Sequence, residues 1–291
     1  MQSFTIRDIE NLTGIKAHTW RIWEQRFPIF HAKRKESLHR VYDNEDLKQL
    51  LRIAFLYHNG WKVSKIAQLN AQAILEEVSK AEPEESNYKQ YVLQLIEAAI
   101  DFNEKAFTSL LEEFIERMGF EKCITDLCYP YLQRVGLLWV TNRVIPAQEH
   151  FSSYIIQNKI IAETEKLNKP PQSPELLLFS PQGEFHELPL LYINYLLRKN
   201  GWGVVYLGIN AKRDILQQFT SNPNLQYLFL HQITNFTHYD ADDYLEILIK
   251  TFPGKNIVVT GTIVMNVHRP FTNLILLKSD QEIIDFITHH S

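Results

Sequence analysis

Apolar residues recur at helical intervals through roughly the first 168 positions and then gather into short unbroken runs, which separates a helical part from an α/β part. Ile6, Ile9 and Leu12 repeat every third residue behind Thr5, a favourable N-cap, and predict a helix from Ile6 to Leu12. Gly14 makes the turn, a second helix covers Lys16 to Gln25, and Pro28 blocks its continuation. Two short helices across a Gly-bearing turn are the skeleton of a helix-turn-helix. Phe30 to Tyr42 is dense in Lys and Arg, lacks a helical stripe and fits a small hairpin or wing. A third helix begins near Asn44, with Glu45 and Asp46 at its positive dipole end, and runs to about His58; Val63 to Leu69 adds a short one.

Residues 76–87 are acidic and polar around Pro83 and read as a linker. Leu93, Ile96 and Ile100, then Phe107, Leu110, Leu111, Phe114 and Ile115, then Leu132, Val135 and Leu138 predict a bundle of about four helices, the last covering Ala147 to Leu167. A second linker, Lys169 to Pro174, follows. Leu176–Phe179, Val204–Leu207, Tyr227–Leu230, Ile257–Val259 and Leu274–Leu277 are strand candidates. They alternate with the helical stretches Leu188–Lys199, Lys212–Phe219, Tyr239–Phe252 and Gln281–Thr288. That alternation implies a parallel sheet covered on both faces, in a small flavodoxin-like order whose ligands sit beyond the C-terminal strand ends. The expected fold is therefore multidomain: a winged helix-turn-helix over 1–75, a four-helix bundle over 88–168, and a flavodoxin-like α/β domain with a parallel sheet over 175–291.

Composition adds a polarity. The chain of 291 residues carries a formal charge of -4, yet residues 1–70 hold 12 Lys and Arg against 7 Asp and Glu. A basic head before an acidic body points to a polyanion as partner for the head alone. Lys16, His18, Arg21 and Arg26 belong to the second helix and its flanks, while Lys33, Arg34, Lys35 and Arg40 would line the wing. Phosphate contacts orient such a module, and only side chains at base edges read sequence. Trp20 and Trp23, three apart, are expected in the small core of the head. Cys123 and Cys128 offer neither a disulfide framework nor a zinc site and suit a reducing compartment. MQSFTIRDIE has no basic-then-apolar leader, and no apolar run is long enough to span a bilayer, so a cytoplasmic chain with no membrane partner is expected.

The run FTIRDIENLTGIKAHTWRIWEQRFPIF, followed by HRVYDNEDLKQLLRIAFLYHNGWKVSKI, resembles the DNA-binding domain of MerR-type regulators. The matching features are the Gly14 turn, the helix Thr19-Trp20-Arg21-x-Trp23-Glu24-x-Arg26, the pair Arg40-x-Tyr42, and Asp46-Leu47 before the long helix. The resemblance implies a double-stranded DNA operator as partner, with Arg21, Arg26, Arg40 and Tyr42 on the DNA backbone. It also implies a homo-oligomer, dimer or tetramer. The coiled-coil helix that usually ends such proteins is not recognisable, so dimerisation is arranged differently.

Two further matches lie downstream. Trp139 followed by Glu149-His150 resembles the helical cap of cobalamin-binding modules, and Glu184-Phe185-His186 after the first strand resembles the motif whose histidine ligates cobalt from below. With the MerR-type head, the layout resembles the light-sensing, adenosylcobalamin-dependent repressors of carotenoid genes. The resemblance makes adenosylcobalamin the cofactor, His186 the cobalt ligand, and Trp139, Glu149, His150, Glu184, Thr260 and Gly261 its neighbours. Imidazole suits cobalt, and an acidic neighbour such as Glu184 holds the other ring nitrogen and raises its basicity. The chain departs from the motif at Pro189, where the closing Gly is expected, at Leu230-His231-Gln232, where Ser or Thr is usual, and at Thr260-Gly261, where Gly-Gly is usual. Two regulators fit these residues: one switched by cobalamin, and one of the same architecture that has lost the cofactor and answers to a regulatory protein partner or another ligand. Neither a G-x-G-x-x-G nor a P-loop occurs in the last third, and Glu112-Glu113 and Asp242-Asp243 read as solvated helix faces, so an enzyme is not expected.

Overall fold

The computed structural model describes residues 4–27, 33–34, 40–80, 88–140, 146–167, 174–234 and 239–288. The chain divides into two compact units, Met1–Ile155 and Ile156–Ser291.

The first unit is helical. α1 (Ile6–Thr13) starts at a capping box in which Asp8 accepts from the Thr5 backbone and hydroxyl at 2.6 Å each, and it ends at Gly14 in the left-handed region, φ 72°. α2 (Ala17–Arg26) begins where the Glu10 carboxylate accepts from Ala17 N at 3.0 Å. A two-stranded antiparallel ribbon, β1 (Lys33–Arg34) and β2 (Arg40–Val41), leads to α3 (Asn44–His58), which Asp43 and Asp46 cap reciprocally. The short α4 (Val63–Ile66) precedes α5 (Ala71–Lys80). Glu76 to Lys80, expected as linker, thus continue a helix: Asn70 caps it, and Ile74 and Val78 bury one face although their neighbours are polar. Residues 81–87 lie outside the described residues, as do 168–173.

The remaining helices are α6 (Tyr88–Ile100), α7 (Glu104–Met118), α8 (Phe120–Lys122) with α9 (Tyr129–Val140), and α10 (Pro146–Glu165). A π-helical turn, Cys123–Cys128, joins α8 to α9 and stacks the two buried, free thiols 4.0 Å apart. Phe107 packs edge-on against Tyr131 and Phe151, and Tyr91 against Phe114, giving this segment an aromatic core.

The second unit carries a five-stranded, wholly parallel sheet. Its strands are β3 (Leu176–Pro181), β4 (Val204–Ala211), β5 (Tyr227–His231), β6 (Asn256–Thr260) and β7 (Leu274–Leu277), in the spatial order β4-β3-β5-β6-β7. β3 is buried at every position, as a central strand covered on both faces must be. Side chains alternate between two cores. Leu177, Leu228, Leu230, Ile257 and Val259 meet α13 (Ala241–Thr251) on one face. Leu176, Leu178, Phe229 and Val258 meet α11 (Glu187–Lys199) and α14 (Asp280–Thr288) on the other. The short α12 (Arg213–Gln217) follows β4. The strand order reverses between β3 and β5, the position beyond whose C-terminal strand ends α/β sheets of this kind hold ligands.

Asp242, expected on a solvated face, is buried instead. Its carboxylate accepts from His268 N at 3.0 Å and Arg269 N at 3.2 Å, because the β6–β7 connection folds back onto the start of α13.

Candidate functional site

In the head, α2 is two-faced. Trp20 and Trp23 are buried, with Trp20 Nε1 donating to Thr13 Oγ1 at 3.1 Å and ring centroids 5.0 Å apart, as expected of core residues. His18, Arg21, Ile22 and Gln25 share the opposite, exposed face at helical spacing, with Arg26 exposed at the helix end. An exposed isoleucine among cations is the composition of a surface that meets both phosphate and base edges. Lys16 is also exposed, but Glu10 pairs with it at 3.0 Å. Tyr42 is placed apart from this surface: its ring is in the core of the head, and its backbone pairs with Phe4. Lys33, Arg34 and Arg40 contribute backbone to the ribbon, and their side chains, like all of Lys35, lie outside the described residues.

Further along the first unit, Glu149 and His150 sit in the first turns of α10. His150 is exposed, and its Nδ1 lies 3.2 Å from Glu149 Oε2. Trp139 is in the last turn of α9, with its side chain outside the described residues.

In the second unit the loops that follow β3 and β5 hold a dense hydrogen-bond cluster. Gly183, at φ 88°, turns the chain off β3, and its N–H donates to Asn210 Oδ1 at 3.0 Å. Glu184 is fully buried. Its Oε1 accepts from His186 N at 2.8 Å and His186 Nδ1 at 2.7 Å. Its Oε2 accepts from Ile233 N and Thr234 N at 2.6 Å each and from Thr234 Oγ1 at 3.3 Å. Burial alone would raise this carboxyl, but the His186 ring and the Thr234, His186 and Ile233 amides outweigh it and hold the pKa at about 2. Glu184 is therefore a carboxylate at neutral pH. Because a carboxylate can only accept, Nδ1 of His186 carries a proton, and Nε2 is the nitrogen that bears the lone pair when the ring is neutral. The imidazole is about half exposed, 48%, at the N-cap of α11.

Beside this pair the end of β5 meets the end of β6. His231 is buried, neither ring nitrogen has a hydrogen-bond partner among the described residues, and burial pushes its pKa down to about 4. Thr260, its register partner, is buried too. Gly261 takes φ 91°, and a Cβ there would fall 2.2 Å from Gln232 O, so only glycine fits. The buried Gln232 amide donates to Thr234 O at 2.7 Å and accepts from Tyr239 at 2.9 Å. Pro189 occupies the first turn of α11, where no intrahelical N–H bond is lost. Ile233 and Tyr239 escaped the sequence reading, which met Gln232 only as a departure from the motif and Thr234 only as a hydroxyl residue nearby.

Residues 4–73 match the MerR HTH family of regulatory proteins, and residues 92–162 match the B12 binding domain. The HTH-type transcriptional repressor CarA of Myxococcus xanthus is 29% identical over 215 residues, which cover 73% of this chain and 70% of CarA. The repressor CarH of the same organism is 23% identical over 261 residues, covering 87% of this chain and 86% of CarH. This chain is homologous to these repressors. It carries a MerR-type helix-turn-helix domain and a B12 binding domain, the first holding the exposed face of α2 and the second spanning Trp139, Glu149 and His150. The Methanosarcina barkeri monomethylamine corrinoid protein superposes with a TM-score of 0.49 at 12% identity over 67% of this chain and 95% of that one, a likeness too distant to bear on the ligand. Among the described residues no helix is long and apolar enough to cross a membrane.

Proposed function

We propose that the chain is a DNA-binding transcriptional regulator whose C-terminal half takes up cobalamin and changes operator binding in response. In this reading residues 1–75 form a winged helix-turn-helix with the β1–β2 ribbon as its wing, 88–168 a four-helix bundle, and 175–291 a flavodoxin-like domain. His18, Arg21 and Arg26, with the ribbon cations Lys33, Arg34, Lys35 and Arg40, meet duplex DNA. The active species is a homo-oligomer in the cytoplasm, because one head makes too few phosphate contacts for a specific site at physiological salt.

The observation that carries the cofactor reading is the Glu184–His186 pair at the strand-order reversal. An imidazole whose Nδ1 is locked to a buried carboxylate, with its lone pair on Nε2, is the donor a cobalt ion takes, and the carboxylate makes that nitrogen more basic. The donor set thus fits cobalamin: His186 would hold the cobalt and Glu184 would support the imidazole. Cobalamin supplies the metal centre that is ligated. The chain supplies the fixed tautomer, a buried base for it and the turn at Gly261 that brings the β5 and β6 ends together. Adenosylcobalamin is the proposed form.

The test is a visible absorbance titration in the dark, with adenosylcobalamin and with hydroxocobalamin, of the wild type and of His186→Ala. A stoichiometric spectral change that the variant loses supports the reading. No retained cobalamin at micromolar protein sinks it and turns attention to a regulator controlled by a protein partner or another ligand.

A further inference from the structure

The last carbonyls of α1 are held from outside the helix. Thr13 O accepts from His58 Nε2 of α3 at 2.9 Å, and Leu12 O accepts from Arg134 Nη1 at 3.1 Å. Arg134 lies 122 residues away from Leu12, on α9 inside the stretch that matches the B12 binding domain. Its guanidinium also reaches to 3.8 Å from where a Cβ of Gly14 would stand, so it covers the turn as well as the helix end. Among the described residues no carboxylate pairs with it, and burial lowers its pKa. The negative end of the α1 dipole and the orphan Leu12 carbonyl are what this cation meets. An unpaired, partly buried arginine is costly to keep for packing alone, since Leu or Met would fill the same space without desolvating a charge.

Among the described residues, the other side-chain hydrogen bonds between the head and this helical segment come from α3 and its C-cap Asn59. Lys48 Nζ donates to Asp101 at 3.0 and 3.2 Å, Arg52 Nε donates to Glu97 at 2.9 Å, and Asn59 accepts from Gln90. They seat the third helix of the head. Arg134 and His58 instead grip the end of α1, from which Gly14, Ile15 and Lys16 lead directly into α2 and its exposed His18, Arg21 and Ile22.

We infer that Arg134 is a positioning residue for DNA reading: held on the B12-type segment, it caps α1 and fixes the turn that sets the angle of α2. The inference rests on the DNA-binding reading above. It makes operator affinity depend on where α9 stands. Trp139 is five residues further along that helix, about 7.5 Å at the helical rise. A displacement of α9 by an occupant near its C-terminal end is thereby passed to the turn.

The test uses the full chain, Arg134→Leu and Arg134→Lys, and a duplex that the wild type enriches from a random-sequence pool. Circular dichroism first establishes that the variants fold, and Arg134→Gln, a shorter donor, replaces the Leu variant if that one does not. Expected in Arg134→Leu are amide exchange at Gly14–Ala17 at least about tenfold faster and affinity for the enriched duplex about tenfold weaker. The slope of log affinity against log salt stays unchanged, because no phosphate contact is removed. Arg134→Lys restores most of both. A folded Leu or Gln variant with wild-type exchange and affinity overturns the inference, as does a salt slope smaller by about one, which would make Arg134 a phosphate contact. A wild type that enriches no duplex overturns the DNA-binding reading and the inference with it.

Discussion

Replacing Glu184 by Gln keeps the shape of the buried carboxyl and removes its charge. The carboxylate accepts two N–H groups on each oxygen, together with the Thr234 hydroxyl. A glutamine has one acceptor oxygen and one NH2, so two charge-assisted bonds are lost whichever way it turns: facing Ile233 and Thr234 its NH2 meets two N–H donors, and facing His186 it meets one backbone N–H and forces the ring into the other tautomer. Two charge-assisted bonds at about 1.5 kcal/mol each amount to a loss of about 3 kcal/mol. Titration gives the same size: a carboxyl held at about 2 instead of near 4.5 stabilises the fold at neutral pH by about 3 kcal/mol. The sign follows from the depressed value. The contribution is complete above the unfolded pKa and is lost as pH falls from about 5 towards 2. The assay is hydrogen exchange of the β5 amides, Tyr227–His231, in wild type and Glu184→Gln. At pH 7 the variant is expected to open about 3 kcal/mol more easily, and the difference should shrink steadily below pH 5 as the carboxyl of the opened wild type takes up a proton. A difference under about 1 kcal/mol at pH 7, or one that stays constant down to pH 2, would refute the account of this cluster.

Three other expectations follow from single contacts. Gly261→Ala places a methyl 2.2 Å from Gln232 O at a positive φ and should lower the thermal stability of the α/β unit by about 3 kcal/mol or more, read as a large drop in its melting transition. His231 is buried neutral, so its depressed pKa of about 4 means stability is complete above pH 6.5 and falls by about 2 kcal/mol between pH 7 and pH 5; in His231→Leu that part of the urea-midpoint shift should vanish. Arg21→Ala removes an exposed cation from α2 without touching the core, so circular dichroism should be unchanged while duplex affinity, measured by fluorescence anisotropy, falls about tenfold.

Periodicity reported the helices and strands well because burial of one face is a local property, repeated every three to four residues in α3 and filling every position in β3. It misjudged Glu76 to Lys80, where two buried apolar residues, Ile74 and Val78, outweigh an acidic composition. The Glu184–His186 spacing was visible because both residues lie on one loop, two apart. Its other half was not: Ile233 and Thr234 arrive from 49 and 50 residues away through the pairing of β3 with β5, and their contribution is backbone N–H, which no residue type announces. Arg134 is invisible for the same reason, one arginine on a helix whose partner is a carbonyl 122 residues earlier. The Tyr42 assignment followed the family pattern, whereas the bridge to Phe4 draws that ring into the core of the head.

In the proposed function, DNA reading is joined to cobalamin uptake through the cluster around His186. The most direct measurement is the affinity for an enriched duplex with and without saturating adenosylcobalamin in the dark, for wild type and His186→Ala. The wild-type affinity is expected to shift at least about tenfold on adding the cofactor, equivalent to about 1.4 kcal/mol of coupling, and the variant not to respond. Equal affinities for the wild type in both conditions, with cobalamin demonstrably bound, would contradict it.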